Sequence, residues 1–181
     1  MRTPVLREEL VAVATGLLAE GGSPAVTTRA VAAGGGTSLA AVNELFGGKA
    51  GLVRALFAEG FGWLAQELEA LGPDAGVLEV ALAVRDFARR RPHLYEVMFS
   101  RPFAEFRPGP EDARASEVVH RVVMERVAAE VEGDVKDAAI GLFAVVQGLV
   151  AMETAGLLGS TAEAAERRFR VTVEATLKGF S

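Results

Sequence analysis

The sequence predicts an all-α protein of about nine helices, a three-helix head followed by a larger helical bundle. Three observations predict it. Apolar residues recur at steps of three and four through segment after segment. Between those segments stand short clusters of glycine, proline, threonine and serine, which end one helix and cap the next. The sharpest break is Thr27 to Lys49, TTRAVAAGGGTSLAAVNELFGGK, where two short helical stretches flank three glycines.

The first helix starts at Thr3-Pro4, a cap followed by proline in the first turn. Leu6, Leu10, Val13, Ala14, Leu17 and Leu18 form its apolar stripe, and Gly21-Gly22-Ser23-Pro24 ends it. The second helix starts at Thr27 or Thr28. It carries Val31 and Ala32 inward and stops at Gly34-Gly35-Gly36, where glycine tolerates a left-handed exit. Thr37-Ser38 caps the third, which runs to Phe46. Its buried edge is Val42, Leu45 and Phe46, at i, i+3 and i+4. Leu39, Ala40 and Asn43 point out. Helix, tight turn, helix, with small residues on the outer face of the second, is the helix-turn-helix plan for entering a DNA major groove.

Gly47-Gly48 ends that helix and a long one follows from Lys49 to about Leu71. Its buried side is Val53, Leu56, Phe57, Phe61, Leu64 and Leu68, and Gly60 is a place for a bend. Gly72-Pro73-Asp74 stops it. Residues 75–91 form a helix on Val77, Leu78, Ala81, Leu82, Val84 and Phe87, closed by Arg89-Arg90-Arg91, cations that suit a helix C-terminus. Pro92 starts a short helix through Phe99. Arg101 to Pro110 holds three prolines and reads as a loop, with Phe103 and Phe106 unusual in a solvated one. Helices follow over 111–131, Asp134–Leu158 and Thr161–Lys178. The last two carry apolar stripes, Ala138, Gly141, Leu142, Val145, Gly148 and Leu149 on one and Phe169, Val173 and Leu177 on the other. Either they are buried within one subunit or they form a four-helix interface with a second copy.

Composition narrows the function. The chain has 181 residues, no cysteine, two histidines and a net charge of −5. Half of the residues are apolar, enough for a sizeable core. The acidic balance excludes a protein that coats nucleic acid, though a few well-placed cations suffice for a specific reader. Thiolate metal sites and disulfides are excluded. Glu117 and His120 make half of a di-iron motif and lack the other half. Gly34-Gly35-Gly36 has neither the spacing nor the lysine of a phosphate-binding loop. The expectation is no enzyme, no metal and no cofactor. MRTPVLREEL holds no signal-like apolar stretch, and the run from Ala138 to Met152, interrupted by Gln147, is too short for a membrane span. The expectation is therefore a soluble, cytoplasmic protein with no membrane partner.

Candidate DNA contacts follow from the plan. Asn43 can read adenine with two hydrogen bonds, or serve only as a helix-end residue before two glycines. Thr28, Thr37 and Ser38 can each reach a phosphate or act as caps, and a cap can do both. Arg29 is a backbone contact or a solvated surface residue. Lys49, with the amides of the helix it opens, is a phosphate clamp or an exposed lysine.

Taken as a unit, residues 5–57 resemble the TetR family of bacterial transcriptional regulators. The resemblance is carried by the leading amphipathic helix, Gly21-Gly22, Thr27-Thr28, Val31-Ala32, Gly36-Thr37-Ser38, Val42, Leu45-Phe46, Lys49, Leu52 and Leu56-Phe57. The segment RPHLYEVMF, residues 91–99, looks like one subgroup of ligand domains in that family. Two departures stand out. The family usually has an aromatic residue where this chain has Asn43, and tends to have alanine where it has Gly34 and Gly35.

The resemblance implies a DNA-binding domain over 1–48 and a ligand-binding and dimerisation domain over 49–181, with 49–71 as connecting helix. It implies DNA contacts by Thr28, Arg29, Thr37, Ser38, Leu39, Ala40, Asn43 and Lys49, with Lys49 as a clamp. It also implies a ligand pocket among Phe61, Trp63, Phe87, Tyr95, Met98, Phe99, Phe103, Phe143 and Gln147. The implied protein is a homodimeric repressor on a palindromic operator, released by a small apolar or amphipathic effector. The alternative is a TetR-like ligand-binding protein with weakened or lost operator binding.

Overall fold

The structure is a computed structural model that describes residues 2–180, with side chains from Pro4 onward. The expected Thr3 cap lies outside the described side chains. The described residues are all helical apart from turns and loops: α1 (Arg2–Ala25), α2 (Thr28–Gly34), α3 (Leu39–Phe46), α4 (Lys49–Ala70), α5 (Val77–Arg90), α6 (Pro92–Phe99), a 3-10 turn (Pro110–Asp112), α7 (Ala113–Glu130), α8 (Val135–Thr154) and α9 (Ala162–Lys178). They fall into two compact units. One is Trp63 and everything before it together with Arg91–Ser116; the other is Leu64–Arg90 together with Glu117 and everything after it.

In the first unit α1 packs on α2, α3 and α6. Leu10, Ala14 and Leu18 of α1 are buried with Val26, Val31, Ala32 and Val42. Regular helix in α1 breaks at Gly22, where φ is 64°, as the glycine cluster in the sequence requires. The first half of α4 buries Leu52, Val53, Leu56, Phe57 and Phe61. Gly60, which the sequence marks as a bend, has a packing reason: a Cβ there would lie 2.7 Å from Met98 Sδ and 3.2 Å from Leu94 Cγ of α6. The proline-rich loop buries Phe103 and Phe106, which explains two aromatics in such a segment.

In the second unit α5, α8 and α9 pack together. Their core includes Phe87, Leu142, Val146, Leu149, Phe169 and Val173. Arg85 of α5 is only 2% exposed. Its Nε and Nη2 donate to Glu153 of α8, both at 2.7 Å, and Glu166 of α9 stands 3.6 Å from Nη1. The Arg85 guanidinium lies 5.6 Å from the Phe169 ring centre. Glu130 of α7 accepts the free Val77 N–H at the start of α5, at 2.6 Å.

Two expectations are corrected here. Helix α8 ends at Thr154, not Leu158, because Gly156 turns left-handed at φ 71° and Leu157 N–H closes back on Met152 O at 2.8 Å. At 20 residues α8 also extends beyond the run from Ala138 to Met152, and by length and composition alone it could cross a bilayer. Its Leu142, Val146, Leu149 and Val150 pack inside this unit instead. Of the two readings left open for the apolar stripes, burial within the subunit holds for Ala138, Leu142, Leu149, Phe169 and Val173. The outward apolar residues are Ile140 (67% exposed), Phe143 (52%) and Met152 (44%) on α8 and Val171 (58%) on α9. A helix apolar on every side gives periodicity no means of choosing the outer face.

Candidate nucleic-acid interface

Local chemistry fixes each end of the helix-turn-helix. Thr27 is the α2 cap, its Oγ1 accepting Ala30 N–H at 3.0 Å. The turn after α2 is closed by Gly36 N–H to Ala33 O (3.2 Å) and Thr37 N–H to Ala32 O (2.9 Å), with Gly36 at φ 60°. That double bond pair satisfies carbonyls the helix end would otherwise leave free. Ser38 caps α3 by accepting Ala41 N–H at 3.1 Å. A cap of this kind contributes about 1 kcal/mol. At the far end Gly47, at φ 70°, donates to Asn43 O at 2.8 Å.

Helix α3 is thereby held by one side. Val42 is fully buried and Phe46 is 8% exposed, with the Arg7 guanidinium 5.2 Å over the Phe46 ring. Leu45, expected to be buried, is half-buried. The other side is open: Ser38, Leu39, Ala40 and Asn43 are all exposed. No lysine or arginine lies within Leu39–Phe46. The exposed groups on and beside α3 are the Ser38 hydroxyl, the Asn43 amide, the Glu44 carboxylate and the apolar Leu39 and Ala40, the kind of side chain that can meet a thymine methyl. Thr28 and Thr37 are half-buried beside the caps and Arg29 is exposed on α2.

Lys49 opens α4 three residues after Phe46. Its Nζ lies 3.1 Å from Glu105 Oε1 and 5.3 Å from the centre of the Phe103 ring. Glu105 belongs to the loop after α6. Its carboxyl is held below the ordinary range, first by its own backbone N–H and then by Lys49. Nothing in the sequence pairs these two residues, which are 56 apart. Arg54, further along α4, is tied to the same loop end, at 2.7 Å from Asp112 Oδ1 and 3.0 Å from Glu111 Oε1.

The departure at Gly34 and Gly35 has a steric reason. A Cβ on Gly34 would lie 2.7 Å from Val13 Cγ1, and one on Gly35 would lie 2.3 Å from Leu10 Cδ2. Glycine lets α1 sit against the turn.

The expected pocket residues divide between the units. In the first, aromatic rings form a chain. Phe57 meets Phe61 at 4.9 Å between centres and Phe106 at 5.5 Å; Phe61 meets Phe99 at 5.5 Å and Phe99 meets Tyr95 at 4.6 Å. Phe61, Tyr95, Met98 and Phe103 are buried, and Trp63 is half-buried under Arg91. A cleft of about 370 Å³ between α1 and α4 is lined by Val11, Ala12, Thr15, Ala55, Ala58 and Trp63, with Arg7, Glu8 and Glu59 at its edge. In the second unit Phe87 is fully buried, and Phe143 lies on the outer side of α8. Gln147 is half-buried, and its Nε2 is enclosed with no hydrogen-bond acceptor among the described residues. A buried amide left so costs about 1–3 kcal/mol.

An open helix of small residues, carried on a capped helix-turn-helix, defines a class: the major-groove DNA readers. Sequence comparison gives the family. Residues 10–56 match the pattern of the bacterial regulatory proteins, tetR family, and residues 77–176, over half of the chain, match the Tetracyclin repressor-like, C-terminal domain. The chain belongs to the TetR family and is a DNA-binding transcriptional regulator. No curated protein sequence is significantly similar to it.

Solved structures share the fold. A protein of unknown function from Rhodococcus sp. RHA1 superposes with a TM-score of 0.78 at 24% identity, over 97% of this chain and 95% of that one. The transcriptional regulator SCO7222, a TetR from Streptomyces coelicolor, gives 0.69 at 20% identity over 96% of each chain. A TetR variant from Acinetobacter baumannii AYE, in complex with minocycline, gives 0.65 at 22% identity over 94% of this chain and 93% of that one.

Proposed function

We propose that the protein is a homodimeric repressor that reads a palindromic operator in the cytoplasm and leaves it on binding a small apolar or amphipathic molecule. One observation carries the reading: α3 is anchored through Val42 and Phe46 while Ser38, Leu39, Ala40 and Asn43 stand open on one side. Residues 1–48 are the DNA-binding domain. Residues 38–46 enter the major groove, with Asn43 and the small residues facing base edges. Thr28, Arg29, Thr37 and Lys49 serve the backbone, where position matters more than total charge. Residues 49–181 bind the effector and the second subunit, with 49–71 as connecting helix.

The exposed apolar side chains Ile140, Phe143 and Met152 of α8, with Val171 of α9, support a four-helix interface between two copies. Within the first unit, the buried aromatics support a mostly apolar effector site. The minocycline complex of the Acinetobacter TetR supports small-molecule control. Release requires that the effector bind the non-operator shape more tightly, by the factor that sets the population shift. The packing role of Gly34 and Gly35 removes one motive for the reading in which operator binding has decayed.

Selection of bound sequences from a random duplex pool, at low and near-physiological salt, tests this. The expected result is one enriched palindrome that survives the higher salt. No enrichment from folded, dimeric, ligand-free protein would sink the reading.

A further inference from the structure

The ammonium that the head needs for an operator phosphate is already engaged. Lys49 Nζ lies 3.1 Å from Glu105 Oε1. The pair is open to solvent, with a third of the lysine side chain and 47% of the glutamate exposed, so the lysine can exchange one anion for another.

Glu105 is held in place by its neighbours. Phe103 and Phe106 on either side of it are buried, and Lys49 lies over the Phe103 ring. Phe106 meets the Phe57 ring of α4 edge-on and carries the Arg54 guanidinium 5.6 Å from its centre. The arc ends where Arg54 binds Asp112, which is buried and accepts Gly109 N–H at 2.9 Å. The loop from Arg101 to Pro110 is therefore fastened to α4 through Phe103, Phe106 and Glu105, and Glu105 puts a carboxylate on Lys49.

We propose that this loop is a built-in competitor for DNA: operator binding exchanges the Glu105 carboxylate for a backbone phosphate on Lys49, and Glu105 thereby sets both the affinity and the salt dependence of the regulator. The inference rests on the reading of Lys49 as a phosphate contact. Its distinctive consequence is in the salt. A lysine that binds phosphate releases a counterion from the DNA. When that lysine first leaves a glutamate, the freed carboxylate gathers a cation again, and part of the net release is cancelled. The loop weakens the complex and flattens its response to ionic strength together.

The experiment is a fluorescence-anisotropy titration of the selected operator duplex across a series of salt concentrations. Four proteins are compared: wild type, Glu105→Gln, Lys49→Met and the double variant. Glu105→Gln should bind about two- to fivefold tighter per head, the range of an exposed ion pair. Its slope of log affinity against log salt should be steeper by up to about one per head. In the Lys49→Met background the same substitution should change neither quantity. A Glu105→Gln protein that matches wild type overturns the inference. So does an equal gain with Lys49 removed, because relief of general repulsion from DNA would then account for it. If Lys49→Met binds with wild-type affinity and slope, the reading of Lys49 fails and takes the inference with it. If Lys49→Met is weak while Glu105→Gln is silent, only the inference falls.

Discussion

Gly51→Ala is expected to lower stability by about 3 kcal/mol or more and to abolish operator binding with it. Alanine inside a helix ordinarily gains about 1 kcal/mol over glycine, so the sign is informative. A Cβ on Gly51 would lie 1.7 Å from Phe46 O and 2.8 Å from Phe46 C. Both are backbone atoms, and neither can rotate away as a side chain would. Phe46 is the anchored end of α3, and only Gly47 and Gly48, at φ 70° and 98°, separate it from α4. Retreat of that carbonyl would carry α3 with it. Urea denaturation followed by circular dichroism measures the loss. Gly62→Ala is the control in the same helix, since nothing stands within 4 Å of its added Cβ. It should be neutral or stabilising by up to about 1 kcal/mol. Equal stability of Gly51→Ala and wild type would refute the close approach of α3 and α4.

The second large effect is in the other unit. Glu153→Ala should cost about 3–5 kcal/mol, because it strands a charge that cannot be lost. Arg85 is 2% exposed, and its two 2.7 Å bonds to Glu153 are the strongest part of its surroundings. A guanidinium stays protonated at any working pH even without that partner, so deprotonation offers no escape. Glu166 remains, at 3.6 Å, but is itself held by Arg170 at 3.1 Å and lies nearer solvent. The double replacement Arg85→Met with Glu153→Leu should recover most of the loss, since an apolar pair of similar volume needs no desolvation. Thermal unfolding of the two variants beside wild type decides the matter. A single variant as unstable as the double would mean that packing, and not the stranded charge, is responsible.

These two effects mark the limit of what the sequence shows. Capping and periodicity are local, and local signals were legible. Thr27 and Ser38 as caps, the left-handed turn at Gly36, Val42 and Phe46 as the inner edge of α3, and Pro92 opening a short helix can all be read from spacing. Gly51, by contrast, reads as one more glycine in a helix, because the carbonyl it accommodates is brought there by the turn before it. Arg85 reads as a polar gap between Val84 and Phe87, and its partners come from α8 and α9. The outer face of α8 was left open because apolar residues occur on every side of it, and only tertiary contact separates Ile140 from Leu142. Of the candidate DNA-contact residues, the open face of α3 was legible. That Glu105 holds Lys49 was not, since the two meet only once α6 and its loop fold back on α4.

The central claim is that two copies of α3 enter successive major grooves of one duplex. Methylation interference at guanine N7 on the selected operator tests it most directly, because that atom lies in the major groove. Two clusters of interference related by the palindrome, about ten base pairs apart or a multiple of that, are expected. Interference confined to one cluster, or absent from the major groove while the complex still forms, would contradict it.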